Sequence, residues 1–147
     1  MNSTTTRRDL ALLAFIAAKA APAAEPQRKT LPSAMYKFDD LPVKQNGENR
    51  SRDVFDGLTH SGFQIDIHET ELAPGLAPHV PHRHIHEEIV MVREGTLEVT
   101  IEGKVTTATP GSVVYVASKD FHGWKNAGAT RAHYFVMALG REPQRTP

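Results

Sequence analysis

The chain of 147 residues contains no cysteine, which removes disulfide staples and thiolate-held metals from consideration. It carries no charge surplus: Lys plus Arg and Asp plus Glu both number 17. The basic footprint of a nucleic-acid-binding protein is therefore missing. Beyond the N-terminal region, no apolar stretch approaches the ~20 residues a helix needs to cross a bilayer. No segment there keeps a sustained helical period, and no internal repeat is visible. What remains is a length suited to one domain with a buried core.

The first 23 residues have a different character. Thr6-Arg7-Arg8-Asp9-Leu10 is polar and basic, Leu10 to Ala18 is an unbroken apolar run, and Ala21-Pro22-Ala23 fits an A-x-A cleavage site. That order is expected of a secretory signal peptide. A first amphipathic helix is the alternative, but apolar residues fill every side of the run and Ala21-Pro22 stops it. Thr6, Arg7, Arg8 and Leu10 fit a twin-arginine signal while Ala11 departs from it, so twin-arginine and general secretory export both stay open. Either route implies a bacterial protein that is periplasmic or secreted. Removing residues 1–23 takes away Arg7, Arg8, Lys19 and Asp9, leaving 14 basic against 16 acidic residues. The mature chain is then slightly acidic, with no stable membrane insertion after cleavage.

Residues 24–54 are polar and Pro-rich ("EPQRKTLPS", "VKQNGENRSRDVF") and are expected to form an extended N-terminal arm with room for one short strand; "NGEN" marks a turn. From residue 55 to 140 short runs alternate with turn signals: "FQIDIHETEL", "EIVMVRE", "TLEVTIEG", "KVTTAT", "SVVYVAS" and "RAHYFVMALG". Leu97, Val99 and Ile101 alternate with Glu98, Thr100 and Glu102. Six or seven strands with turns at this spacing predict an all-β sandwich or barrel. Residues 141–147 form a C-terminal tail. In "EIVMV", Val90 and Val92 share the face of Glu88, yet Ile89 and Met91 are apolar as well. Both faces of this strand therefore need a cover, which predicts a homodimer or an arm that folds back over the barrel.

The densest chemistry lies in "HVPHRHIHEE", residues 79–88, with four histidines and two glutamates in ten positions. By itself this is either a solvated polar loop or half of a metal site, because imidazole and carboxylate are the ligands a borderline divalent metal recruits without thiolates. His82 and His84, two apart on a strand, would project to one side. Glu88 follows at the start of the next strand, and His122 appears far downstream in "FHGWKN".

Gly75, His82-x-His84, Glu88 and Gly95, followed by Gly111, His122 and Asn126, resemble the two motifs of the cupins. In the first motif, His82 to Gly95 fits without a gap, although six residues rather than five separate Gly75 from His82. In the second, Gly111 to Asn126 keeps the spacing throughout; Ala117 stands where the family has Pro, and Lys119 where it has Gly. The resemblance covers about residues 55–140. It implies a single cupin-type double-stranded β-helix, or jelly-roll barrel, with a metal at its mouth. His82, His84, Glu88 and His122 are the implied ligands, for a divalent transition metal such as Fe, Mn, Ni, Zn or Cu. Such a shell leaves positions open for a small-molecule substrate, water or dioxygen.

Family spacing places His86 in the bend before Glu88, outside the ligand shell, and Glu88 or His86 would move protons. His79 is expected in a loop, Glu87 on the outside, and Arg93 at a rim or interface. Trp124 either walls the pocket or packs in the core. His68 and His133 are expected to be satisfied or exposed strand histidines rather than functional ones. Two functions stay open: a metal-dependent enzyme (an oxygenase, or a lyase, isomerase or hydrolase using the metal as Lewis acid), and a non-catalytic periplasmic protein that binds a small molecule or metal. Cupins host many chemistries, so the fold alone assigns none.

Overall fold

The computed structural model describes residues 29–140. The expected signal segment, the first residues of the arm and the C-terminal tail lie outside them. Nine strands form: β1 (Lys44–Asn46), β2 (Asn49–Leu58), β3 (Gln64–Leu72), β4 (Glu87–Glu94), β5 (Leu97–Ile101), β6 (Lys104–Ala108), β7 (Val113–Val116), β8 (His122–Asn126) and β9 (Ala132–Gly140). Among the described residues the one helical element is a 3-10 turn at Phe38–Asp40.

All strand pairings are antiparallel, in a six-stranded sheet of order β1-β2-β3-β9-β4-β7 and a three-stranded sheet of order β6-β5-β8. The non-consecutive neighbours are those of a jelly-roll barrel. Its core lies between the sheets. Leu72, Val90, Val92, Tyr134 and Val136 from one face Leu97, Val99, Ala108 and Trp124 from the other. The alternation of β5 does its expected work: Leu97 and Val99 are fully buried, while Glu98 and Thr100 stay partly in water.

Gly95, between β4 and β5, has φ 77°, and a Cβ there would lie 2.6 Å from the Ala132 backbone. No side chain fits that approach, so this turn requires glycine.

Among the described residues, seven strands, β3 to β9, begin between residues 55 and 140 as expected, while the 24–54 arm supplies two strand starts rather than one, β2 running across residue 54. The turn at "NGEN" does form, joining β1 to β2. The strands around it were hidden because β2 carries charges where alternating apolar residues would announce a strand. Those charges are answered across the sheet: Arg52 donates to Glu71 at 2.5 Å, and Lys44 pairs with Asp53. Cross-strand ion pairs let a polar segment serve as a strand near a sheet edge.

The outward face of the large sheet is apolar over five strands. Phe55, Ile67, Met137, Ile89 and Tyr115 stand in one registered row across β2, β3, β9, β4 and β7. Residues 29–41 cover one side of this face. The Leu31 N–H donates to the Leu58 carbonyl at 2.8 Å, Tyr36 lies 5.2 Å from Phe55, and Phe38 lies 5.8 Å from His133. The part of the arm within the described residues thus does fold back. At the other end, Val113 and Tyr115 remain 65% and 58% exposed.

Candidate metal centre

His82, His84, His86, Glu88 and His122 gather at the barrel mouth, as two overlapping triads: His82, His84 and His122, and His84, His86 and Glu88. Within each triad the ligand atoms lie within 4.8 Å of one another. The HxH segment is not a regular strand. It makes a single antiparallel bridge, in which the His82 N–H donates to the His122 carbonyl and the His122 N–H to the His82 carbonyl, both at 3.0 Å. A small residue makes this possible. A Cβ on Gly123 would lie 2.9 Å from the Pro81 ring, so a larger residue would push the segment away.

A second clamp acts on Arg83, between the two histidines. Its guanidinium grips both carboxylate oxygens of Glu102 and donates to the Lys119 carbonyl at 2.5 Å. Glu102 in turn accepts from the Phe121 N–H at 2.6 Å, just before His122. The Lys119 N–H donates to the His84 carbonyl at 2.7 Å. Lys119, at the position where the cupin motif has Gly, holds φ 71°. The left-handed conformation is kept although the side chain disfavours it.

Each motif histidine has its Nδ1 against a backbone carbonyl: His82 with Val80 at 3.2 Å, His84 with His86 at 2.8 Å, and His122 with Asp120 at 2.8 Å. A carbonyl only accepts, so the proton sits on Nδ1 and the Nε2 lone pair is left to act as a ligand. Glu88 is 8% exposed and His122 fully buried. The Glu88 Oε2 lies 3.2 Å from His122 Nε2 and 3.4 Å from His84 Nε2. These three buried atoms are nonetheless without a hydrogen bond among the described residues. Buried polar atoms left unsatisfied are costly, and two imidazole nitrogens and a carboxylate oxygen converging on one point are what a divalent metal would satisfy. The donor set therefore fits the metal that the cupin resemblance implies.

The electrostatics agree. Burial by itself would raise the Glu88 carboxyl, but the contacts with His122 and His86 and the charges of His84 and His122 hold it far below the usual carboxylate range. Burial would lower His122, yet the Glu88 carboxylate raises it. Burial lowers His84. Glu88 is thus kept as an anion.

His86 is closer to the cluster than the bend suggests. Its ring stacks on His84 with centroids 3.6 Å apart, and its Nε2 lies 3.6 Å from the Glu88 Oε1. His79 packs edge-on against His82 at 4.4 Å. Trp124 is a core residue, donating from Nε1 to the Tyr134 hydroxyl at 2.8 Å, and also stacks 5.9 Å from His122. Glu87 faces away, into an outer groove with Ile85, Phe63 and Leu139. His133 is satisfied by Glu69 at 2.8 Å, and Arg93 is an exposed charge. Asn126 is fully buried and braces the barrel, donating to the Leu72 and Thr130 carbonyls.

His68 is satisfied at Nδ1 by Asp66, as expected of a strand histidine. It lines a cavity of about 170 Å³ with Asp66, His82, His84, His86, Glu88 and Ala138. Its parity with Thr70 and Leu72, both buried, is the sequence signal that points it inward.

Residues 68–138 match the family model described as Cupin domain. No match is found among curated proteins. Among solved structures, an RmlC-like cupin from Shewanella frigidimarina is 19% identical at a TM-score of 0.61, covering 75% of this chain and 95% of its own. The polyketide cyclase RemF from Streptomyces resistomycificus is 18% identical at 0.64, over 78% and 83%. A predicted oxalate decarboxylase from Thermotoga maritima is 16% identical at 0.60, over 72% and 98%. At these identities the likeness concerns the fold alone. Residues 68–138 thus match a cupin domain model, and these solved structures share the fold.

Proposed function

We propose that this chain is an exported metal-dependent cupin enzyme acting on a small organic molecule, with His82, His84, Glu88 and His122 as metal ligands. The observation that carries this reading is the convergence of three buried atoms without a hydrogen bond among the described residues, His84 Nε2, Glu88 Oε2 and His122 Nε2. A bound metal would supply a Lewis acid for a carbonyl or water, or, if redox-active, a place for dioxygen. The chain's own part is to fix three imidazole tautomers through backbone carbonyls and to keep Glu88 ionised. His86, stacked on His84 and near Glu88, is placed to exchange a proton with a bound molecule. Similar folds include proteins described as a polyketide cyclase and a predicted oxalate decarboxylase, which supports an enzyme without choosing its reaction.

The test is elemental analysis of protein purified with its N-terminal segment intact, followed by an oxygen-consumption screen. About one transition metal per chain is expected; a metal-free protein that takes up none on reconstitution would overturn the reading. Oxygen uptake with a substrate selects an oxygenase over the Lewis-acid reactions.

Export rests on the basic start, apolar run and A-x-A triplet of residues 1–23, and N-terminal sequencing of exported protein should find a start near residue 24. We also propose a homodimer formed over the apolar row that includes Ile89 and Tyr115. This row continues past the part covered by residues 29–41.

A further inference from the structure

We propose that Asp66 and His68 form a proton-transfer pair facing the metal ligands across the cavity, a role outside both cupin motifs. The inference rests on the metal-centre reading above. Three observations carry it. First, His68 Nδ1 lies 3.1 Å from the Asp66 Oδ1, and Asp66 is only 5% exposed. A carboxylate only accepts, so it draws the His68 proton onto Nδ1 and turns the Nε2 lone pair outward. Among the described residues, nothing hydrogen-bonds that Nε2.

Second, the sheet register sets the distance to the ligands. Asp66 pairs with Ala138, and Ala138 pairs with Glu88. Two strand spacings separate Asp66 from Glu88, about 10 Å between Cα atoms. The residue between them is alanine, so a small molecule can lie over it, touching the metal ligands at one end and His68 at the other. Third, His68 also borders a second cavity of about 220 Å³ that includes Asn49, Arg50 and Thr70. It therefore borders both the ligand-lined space and an open depression that can take the far end of a ligand.

His86 serves the end of the cavity beside Glu88 and His84, whereas His68, held by Asp66, serves the other end. The ligand class is a small weak acid with an exchangeable O–H. The step is a proton transfer alone. The O–H bond breaks, its electron pair stays on oxygen, the proton goes to His68 Nε2, and Asp66 balances the imidazolium. Reversal returns the proton to the product. Asp66 acts through His68 and is a positioning residue.

The test uses cobalt as metal and acetohydroxamic acid as probe, with wild type, His68→Gln and Asp66→Asn. Cobalt content should be equal in all three. The association rate of the probe with cobalt-loaded protein near neutral pH should fall about 100-fold in His68→Gln, the lower end of the range for a positioned base. Nitrogen NMR of the metal-free wild type should show His68 as the Nδ1–H tautomer, and Asp66→Asn should lose that preference. An unchanged rate in cobalt-loaded His68→Gln would overturn the proposal, as would loss of cobalt from that variant, which would make His68 a ligand. A wild-type His68 protonated on Nε2 would overturn it even if no variant folds. If the wild type takes up no cobalt, the metal-centre reading fails, while the tautomer measurement still decides the Asp66–His68 pair.

Discussion

The Nε2 of His122 lies 3.2 Å from the Oε2 of Glu88, both atoms are buried, and neither makes a hydrogen bond among the described residues. The two residues are far apart in sequence and come from different sheets, β8 and β4. Their approach joins the two motifs into one site.

Removing a first ligand should nearly abolish binding, whereas removing a residue beyond the ligands typically costs ~10–100-fold. His122→Ala is therefore expected to purify largely metal-free, and His86→Ala to keep most of its metal at saturating concentration. Elemental analysis of both variants checks this. The reverse outcome would mean that "HVPHRHIHEE" binds as a local cluster.

His122 also sets a pH dependence. Burial opposes its protonation, but Glu88 raises its pKa above the ordinary 6.5. In the metal-free protein, this pairing contributes stability that is complete below about 6.5 and lost as pH rises through the raised value. Glu88 has the opposite sign. Its contribution is present above its ordinary value of 4.5 and is lost only in stronger acid. Metal must displace the His122 proton, so affinity should climb with pH while binding releases protons near neutrality. Calorimetry in two buffers of different ionisation enthalpy measures that release. His84, whose pKa burial lowers, contributes with the opposite sign, so the His122 part is read as the difference in thermal unfolding between metal-free wild type and His122→Gln, a difference that should shrink from weakly acidic to alkaline pH. A flat proton count across neutrality would contradict the assignment.

Arg83 is exposed, so its ion pair with Glu102 adds little to global stability. Its position between His82 and His84 gives it another use, holding their segment against the Lys119 and Phe121 backbone. Arg83→Ala should weaken metal binding about 10-fold with little change in unfolding temperature. Arg83→Lys should not restore affinity, because an ammonium cannot make the two-pronged contact. Competition with a chelator of known affinity reads out both variants.

Lys119 holds φ 71°, a conformation that costs a residue with a Cβ on the order of 1 kcal/mol. Lys119→Gly is expected to recover about that amount, since the contacts to His84 and Arg83 use the backbone. Denaturant unfolding of the metal-free protein checks it; a destabilised variant would show that the lysine side chain contributes more than its backbone strain removes.

The apolar row across β2, β3, β9, β4 and β7 yields a prediction about assembly. Tyr115 is 58% exposed, so Tyr115→Lys should fold normally yet shift a dimer to monomer in light scattering at micromolar concentration. A monomeric wild type would remove the homodimer proposal and leave residues 29–41 as the cover.

Local pattern determined a good deal. The alternation of "TLEVTIEG" became β5, "NGEN" became a turn, and Gly95 sits where no side chain fits. The set His82, His84, Glu88 and His122 was legible through the resemblance of its spacing to the cupin motifs rather than through strand geometry, since the HxH segment makes only a single bridge. What sequence could not carry depends on partners distant in the chain. β2 is a strand because Glu71 and Lys44 answer its charges, and neither choice is visible from β2 alone. His86 stacks on His84 because the bend returns it. His68 looks like any strand histidine until the register sets Ala138 between Asp66 and Glu88 and opens a shared cavity. Side-chain type and spacing are local properties that a sequence states outright; which faces meet across a barrel is settled only when the sheets close.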